Sequence, residues 1–212
     1  MTCQESIDHK QIYQVPVGEN PSTVNIEYYE NFISKDEEKF IYDLINSSEW
    51  SIRGKRRMQT YGFQYLKGAH GAESMLEIKP IPSELKFILD RLFSLTHVNF
   101  NQMTVNEYMP GIGIDSHYDH KTRFGNLICG ITLNGGCNMK FDKINSSDSI
   151  SQYLNPCSIY LMKNELRYDW THGIKGLFSD TVNSVSGETI TIPRTKRISL
   201  TFRTVEGGTI PC

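Results

Sequence analysis

The chain has 212 residues, a net charge of -2, 38% hydrophobic and 22% charged residues, which is enough length and apolar content to bury a real core in a single domain. This composition excludes a disordered chain, and no apolar run approaches the roughly 20 residues needed to cross a bilayer. With so little net charge, any nucleic-acid partner has to be held by a local basic patch and not by the surface as a whole.

The N-terminal stretch MTCQESIDHKQ lacks the basic start and apolar core of a secretory signal. Five scattered cysteines, Cys3, Cys129, Cys137, Cys157 and Cys212, form no C-x-x-C pair. That pattern points to reduced thiols and a cytoplasmic or nuclear location, with Cys129 and Cys157 as small buried hydrophobes. A first helix is expected from Ser34, with Glu37 completing a capping box and Phe40, Ile41, Leu44 and Ile45 on one apolar face. A second is expected after Pro82, with Ser83 as N-cap and Leu85, Ile88, Leu89 and Leu92 at helical spacing.

From residue 100 the pattern turns to strands. QMTVNEY alternates and ends at the turn MPGIG; LICGITL runs through NGG into NMKF; CSIYLM, TITI and RISLTFRTV are further β-rich runs. SSDS (146–149) and SVSG (184–187) read as loops. Two helices followed by many short strands describe an α+β domain whose second half is a β-sandwich or barrel.

Within HYDHKTRFG (117–125), His117 and Asp119 are two apart and project to one face if the segment is extended. One imidazole and one carboxylate with a distant histidine suit non-heme Fe(II), and RYDWTHGI offers His172. Each has a bland alternative: a polar loop for His117 and Asp119, a satisfied strand histidine for His172. In RISLTFR, Arg197 and Arg203 fall on one face of a strand, opposite Ile198, Leu200 and Phe202. Two guanidiniums in an otherwise apolar strand need anions, either structural carboxylates or a bound dicarboxylate held bidentately.

Taken together, NEYMPGIGIDSHYDH, RYDWTHGI and RISLTFR resemble the three signature blocks of the AlkB family, Fe(II)- and 2-oxoglutarate-dependent oxygenases. The resemblance runs from about residue 25 to the C-terminus. It implies an N-terminal extension at 1–24 and an oxygenase domain at 25–212. The implied fold is α+β, a double-stranded β-helix (jelly-roll) core with flanking N-terminal helices and a nucleotide-recognition lid. His117, Asp119 and His172 would be the catalytic iron ligands, with His120 outside the triad and pointing away. Asn106 and Tyr108 would hydrogen-bond 2-oxoglutarate, Arg197 would pair with its far carboxylate, and Arg203 would sit near its other end. The implied chemistry uses Fe(II), 2-oxoglutarate and O2 to hydroxylate a C–H bond.

The segment WSIRGKRRMQTYGFQY (50–65) mixes basic and aromatic residues that suit phosphates and an unpaired base. A solvated strand edge is the alternative. In the resemblance it falls on the nucleotide lid, with Arg56, Arg57 and Tyr61 as substrate-binding residues. The blocks look most like the branch that hydroxylates a modified wobble uridine in tRNA, which suggests a tRNA methyltransferase or its adaptor as partner. Lys121 stands where that branch has a zinc histidine, and Cys212 is the lone tail cysteine, so no structural zinc is expected and the chain is expected to be a piece of something longer. An oxidative demethylase of N-alkylated bases in DNA or RNA is the alternative within the family. A non-catalytic nucleic-acid- or protein-binding module on the same fold is the alternative outside it.

Overall fold

In the computed structural model, which describes residues 15–17, 24, 26–67, 73–183 and 188–205, two antiparallel sheets oppose each other and two helices cover one of them. The chain begins with β1 (Val15–Val17), β2 (Glu27–Tyr29), α1 (Lys35–Asn46), β3 (Ser51–Arg53), β4 (Arg56–Tyr61), β5 (Phe63–Lys67) and β6 (Glu73–Glu77). A 3-10 turn at Ser83–Leu85 leads into α2 (Lys86–Thr96), followed by β7 (Gln102–Tyr108), β8 (Ile114–His117), β9 (Leu127–Leu133) and β10 (Cys137–Lys143). The last part holds β11 (Ser149–Leu154), β12 (Ile159–Lys163), α3 (Asn164–Tyr168), β13 (Trp170–Ile174), β14 (Ser179–Asn183), β15 (Thr189–Pro193) and β16 (Arg197–Arg203).

The larger sheet has the order β2-β12-β9-β16-β7-β4-β3 and the smaller β1-β11-β10-β13-β8, while β5–β6 and β14–β15 are separate hairpins. This is the jelly-roll within an α+β domain that the family resemblance implies, in keeping with the sandwich or barrel expected from the strand pattern. Strand β1 joins the edge of the smaller sheet through Val15 to Val17. The loop expected at SVSG lies outside the described residues, as do Cys3 and Cys212.

Helix α1 starts as its residues dictate. The Ser34 hydroxyl accepts from the Glu37 amide, and the Glu37 carboxylate accepts from the Ser34 amide, so two of the free N–H groups of the first turn are satisfied reciprocally. Ile41 and Ile45 are fully buried, whereas Phe40 departs from the expected apolar face and stands 47% exposed against Phe87. Ser83 is not the N-cap of the second helix. Its hydroxyl bonds to the Glu84 carboxylate, and Pro82 and Ser83 open the 3-10 turn without a side-chain cap. Leu85, Ile88 and Leu92 are buried as their spacing predicts. Arg91 of α2 grips Glu37 with two hydrogen bonds and binds the Phe32 carbonyl, joining the helices.

The helices pack on one face of the larger sheet, against Met103, Val105, Ile131, Leu133, Ile198, Leu200 and Phe202. A second apolar cluster, with Phe141, Tyr160, Leu166 and Trp170, fills part of the space between the sheets. The rest of that space is polar and holds the site. Cys129, Cys137 and Cys157 are free and buried.

One seam in the smaller sheet depends on glycine. A Cβ on Gly113 would lie 2.0 Å from the Ile174 carbonyl oxygen, and one on Gly173 would lie 2.9 Å from the Ser116 backbone. This close approach, with a register shift between His172 and Ile174, sets His117 directly opposite His172.

Candidate active site

Strand alternation builds one wall of the site. In the β16–β7 register Arg197 lies opposite Tyr108, Ser199 opposite Asn106, Thr201 opposite Thr104 and Arg203 opposite Gln102. Paired residues share a face, so Asn106, Tyr108, Arg197 and Arg203 all line the polar space between the sheets. The hydrophobic residues between them face the helices.

Three elements bring His117, Asp119 and His172 together. His117 ends β8, His172 sits in the middle of β13, and Asp119 follows β8 in a loop. The two imidazole centroids are 4.4 Å apart, and Nε2 of His172 is 3.8 Å from Oδ2 of Asp119. Nδ1 of His117 donates to the Asp115 carbonyl at 2.8 Å, which leaves Nε2 as its lone-pair nitrogen. Burial pushes the His172 pKa down to about 4 against the pull of Asp119, so this ring is neutral and able to donate a lone pair at physiological pH.

Burial alone would raise the Asp119 carboxyl, but Arg203, with His172, His117 and Arg167, holds it below the ordinary carboxylate range. Arg203 contacts Oδ1 from Nε at 3.0 Å and from the second guanidinium nitrogen at 2.7 Å. Its remaining nitrogen donates to Gln102 and Thr104. Oδ2 of Asp119 is buried without a hydrogen-bond partner. Among the described residues no three His, Cys, Asp or Glu side chains stand ready-made as a metal cage; these three converge without closing. The donor set nevertheless suits an iron: two imidazoles, an ionised carboxylate and one orphaned carboxylate oxygen beside them.

Arg197 differs from Arg203. It is 3% exposed, donates one hydrogen bond to Thr132, and leaves Nε and one terminal nitrogen buried without acceptors. A buried cation with unmet donors is costly and calls for an anion. The Tyr108 ring lies 5.3 Å from Arg197 and 5.4 Å from Arg56, whose guanidinium donates to the Tyr108 hydroxyl. Residue-by-residue reading missed Thr132 and also Tyr160, a fully buried phenol between the sheets whose ring occupies the place of a side chain at Gly130. The only hint was the glycine inside an apolar strand.

Outside this chamber, a groove of about 870 Å³ runs between the β3–β4 turn and the strands carrying His117 and His172. Arg53, Lys55, Arg56, Lys140 and Lys175 line it against Asp115 and Asp142, a surplus of three positive charges on a chain of net charge -2. Arg56 therefore faces the groove. Arg57 and Tyr61, expected beside it, do not line the groove. Being odd-numbered on β4 they point to the helix side, where Arg57 makes a bidentate pair with Glu107 and buried Tyr61 donates to Gln59. His120 sits beyond the end of β8, in contact with Tyr65.

The profile of the 2OG-Fe(II) oxygenase superfamily matches residues 27–203. The chain belongs to this superfamily. Its relatives include protein L905 of Acanthamoeba polyphaga mimivirus, 33% identical, with 82% of each chain covered. The Arabidopsis thaliana protein named "Alkylated DNA repair protein ALKBH8 homolog" is 28% identical over 93% of this chain and 64% of its own length. The Xenopus tropicalis protein named "tRNA (carboxymethyluridine(34)-5-O)-methyltransferase alkbh8" is 28% identical over 86% of this chain and only 32% of its own. The chain thus spans less than two thirds of the latter two proteins. The solved structure of OsALKBH1 shares the fold at a TM-score of 0.63 and 14% identity, covering 84% of this chain and 97% of that one. This oxygenase is of the AlkB type and is a dioxygenase, an oxidoreductase of a superfamily that works with Fe(II) and 2-oxoglutarate. No helix among the described residues is long and apolar enough to cross a membrane.

Proposed function

We propose that the chain hydroxylates modified nucleic acid, its target a modified wobble uridine of tRNA. The observation that carries the nucleic-acid reading is the positive groove, which ends at His117 and shares Arg56 with the chamber through Tyr108. Phosphates favour such a cationic track. The tRNA reading draws on the Xenopus relative, whose name places its activity at uridine 34 of tRNA.

In this reading His117, Asp119 and His172 hold Fe(II), Arg197 takes the far carboxylate of 2-oxoglutarate, and Asn106 and Tyr108 bond to the cosubstrate beside it. The bound iron supplies dioxygen activation coupled to oxidative decarboxylation of 2-oxoglutarate to succinate and carbon dioxide, which provides the oxidising equivalents for a C–H hydroxylation. Arg203 keeps Asp119 ionised and aimed; burial keeps His172 unprotonated. Arg56 orients the incoming nucleotide from the groove side. A methyltransferase or its adaptor is the partner this chemistry suggests, in the cytoplasm or nucleus.

The Arabidopsis relative, named for alkylated DNA repair, supports a second reading, oxidative removal of an N-alkyl group, for which the same chamber serves. Bulk tRNA incubated with the protein, Fe(II), ascorbate and 2-oxoglutarate, then digested for nucleoside mass spectrometry, separates them. A wobble-uridine derivative gaining one oxygen is the expected result. Loss of a methylated base with formaldehyde release moves the protein to the demethylases, and no changed nucleoside in RNA or DNA overturns both.

A further inference from the structure

Arg167 is 2% exposed, yet among the described residues no carboxylate forms an ion pair with it. Its guanidinium donates instead to four backbone carbonyls. Nε reaches Gly125 at 3.2 Å, one terminal nitrogen reaches Asp119 at 2.9 Å, and the other reaches His120 at 2.8 Å and Phe124 at 3.3 Å. All four belong to the loop between β8 and β9, which carries Asp119.

The two ends of this contact matter for the site. Arg167 lies in α3, three residues before β13 and five before His172. One side chain therefore ties the element leading to His172 to the loop carrying Asp119. Arg203 grips the same aspartate by its carboxylate, from the larger sheet, and stacks over Phe124, whose carbonyl Arg167 also holds. The far end of the loop is pinned where the Gly125 amide donates to the Thr204 carbonyl.

We infer that Arg167 is a positioning residue of the iron site, acting through the main chain of residues 119–125 to hold the Asp119 carboxylate at the distance His172 and His117 require. This rests on the proposed role of those three residues as iron ligands. Only a planar fork with donors on three nitrogens can serve four carbonyls spread along a loop; a lysine ammonium is a single point and cannot span them.

The test uses the full chain with Co(II) in place of Fe(II), whose visible absorption reports binding, and amide hydrogen exchange of residues 119–125 in the metal-free protein. Arg167→Lys is expected to weaken Co(II) binding by about 10- to 100-fold, the usual cost of losing a group that orients a ligand, and to speed exchange of the loop while α1 and α2 stay protected. Arg167→Ala is expected to lose more and to recover Co(II) affinity with added guanidinium but not with sodium chloride at equal ionic strength. Arg91→Lys, which loosens an arginine contact between the helices, serves as the control and should leave Co(II) binding unchanged. Folded Arg167→Lys with wild-type affinity and wild-type loop exchange overturns the inference. So does failure of both Arg167 variants to fold while Arg91→Lys folds, since Arg167 would then serve the whole fold. If the wild-type chain binds no Co(II) but the loop still loosens in the variants, the iron reading falls and the hold on the loop stands.

Discussion

The two faces of the larger sheet are made by the same strands and differ in one respect that separates structure from function. On the helix side, the polar side chains of β4 have partners: Arg57 has Glu107, Gln59 donates to the Ile45 carbonyl, and Tyr61 donates to Gln59, while the buried Trp50 indole N–H, a neutral group, goes without one. Ile198, Leu200 and Phe202 fill the remainder without any exposed surface. On the side facing the smaller sheet, Arg197 keeps two donors without acceptors, and opposite it the Asp119 carboxylate keeps one oxygen without a donor. A fold tolerates such debts only where something else settles them. The face whose charged groups are satisfied is scaffold, and the face whose charged groups are not is the candidate site.

Substitutions that touch one face only can break this comparison. The largest effect is expected of His172→Ala, which should abolish succinate production with 2-oxoglutarate while circular dichroism shows a folded chain; turnover near wild type would remove His172 from the site. Next, Arg197→Ala and Phe202→Ala lie on opposite faces of β16 and should separate cleanly. The first should raise the KM for 2-oxoglutarate at least about 10-fold, in line with the loss of a charge-assisted contact, with little change in Tm. The second should cost about 3–5 kcal/mol in urea unfolding and leave that KM alone, and a mixed outcome in either would mean the faces are not independent.

Smaller again is the contrast between neighbours on β4. Arg56→Ala should weaken binding to tRNA several-fold at low salt, with the difference shrinking as salt rises. Arg57→Ala should leave binding intact and cost about 1 kcal/mol, because half-exposed Arg57 leaves the buried Glu107 carboxylate only partly unserved. Equal loss of binding in both variants would return Arg57 to the groove. The least effect is in pH. The unfolded chain protonates residue 172 near its ordinary 6.5, whereas the folded chain does so only near about 4. The metal-free protein therefore loses stability as pH falls through that window, because the unfolded state binds more protons there. His172→Gln should flatten that part of the profile, and an unchanged slope would show that other groups cause it.

Much of this was legible in the residues because strand alternation is local. Arg197 and Arg203 share a face, and Ile198, Leu200 and Phe202 share the other, from spacing alone. The capping box at Ser34 is equally local. The same rule, applied to RRMQTY, would have sorted Arg56 from Arg57 and Tyr61; grouping them by composition as a basic-aromatic patch ignored it. Sheet order lay beyond reach, since β16 pairs with β7 and β9 across long separations. Arg167 was hidden for the same reason. Inside RYDWTHGI it reads as a flank of the histidine, and its partners lie more than 40 residues away.

The glycine seam between β8 and β13 gives the site a vulnerability unlike that of its polar residues. Gly113 and Gly173 carry no chemistry, yet a single methyl group at Gly113 would meet a carbonyl oxygen 2.0 Å away, and the two strands would have to part. Separation there moves one histidine relative to the other without altering a donor atom. The spacing of the imidazoles is thus written in two hydrogen atoms, and a variant that looks conservative, with every donor atom present, would disturb the candidate site as surely as one that lacks a donor.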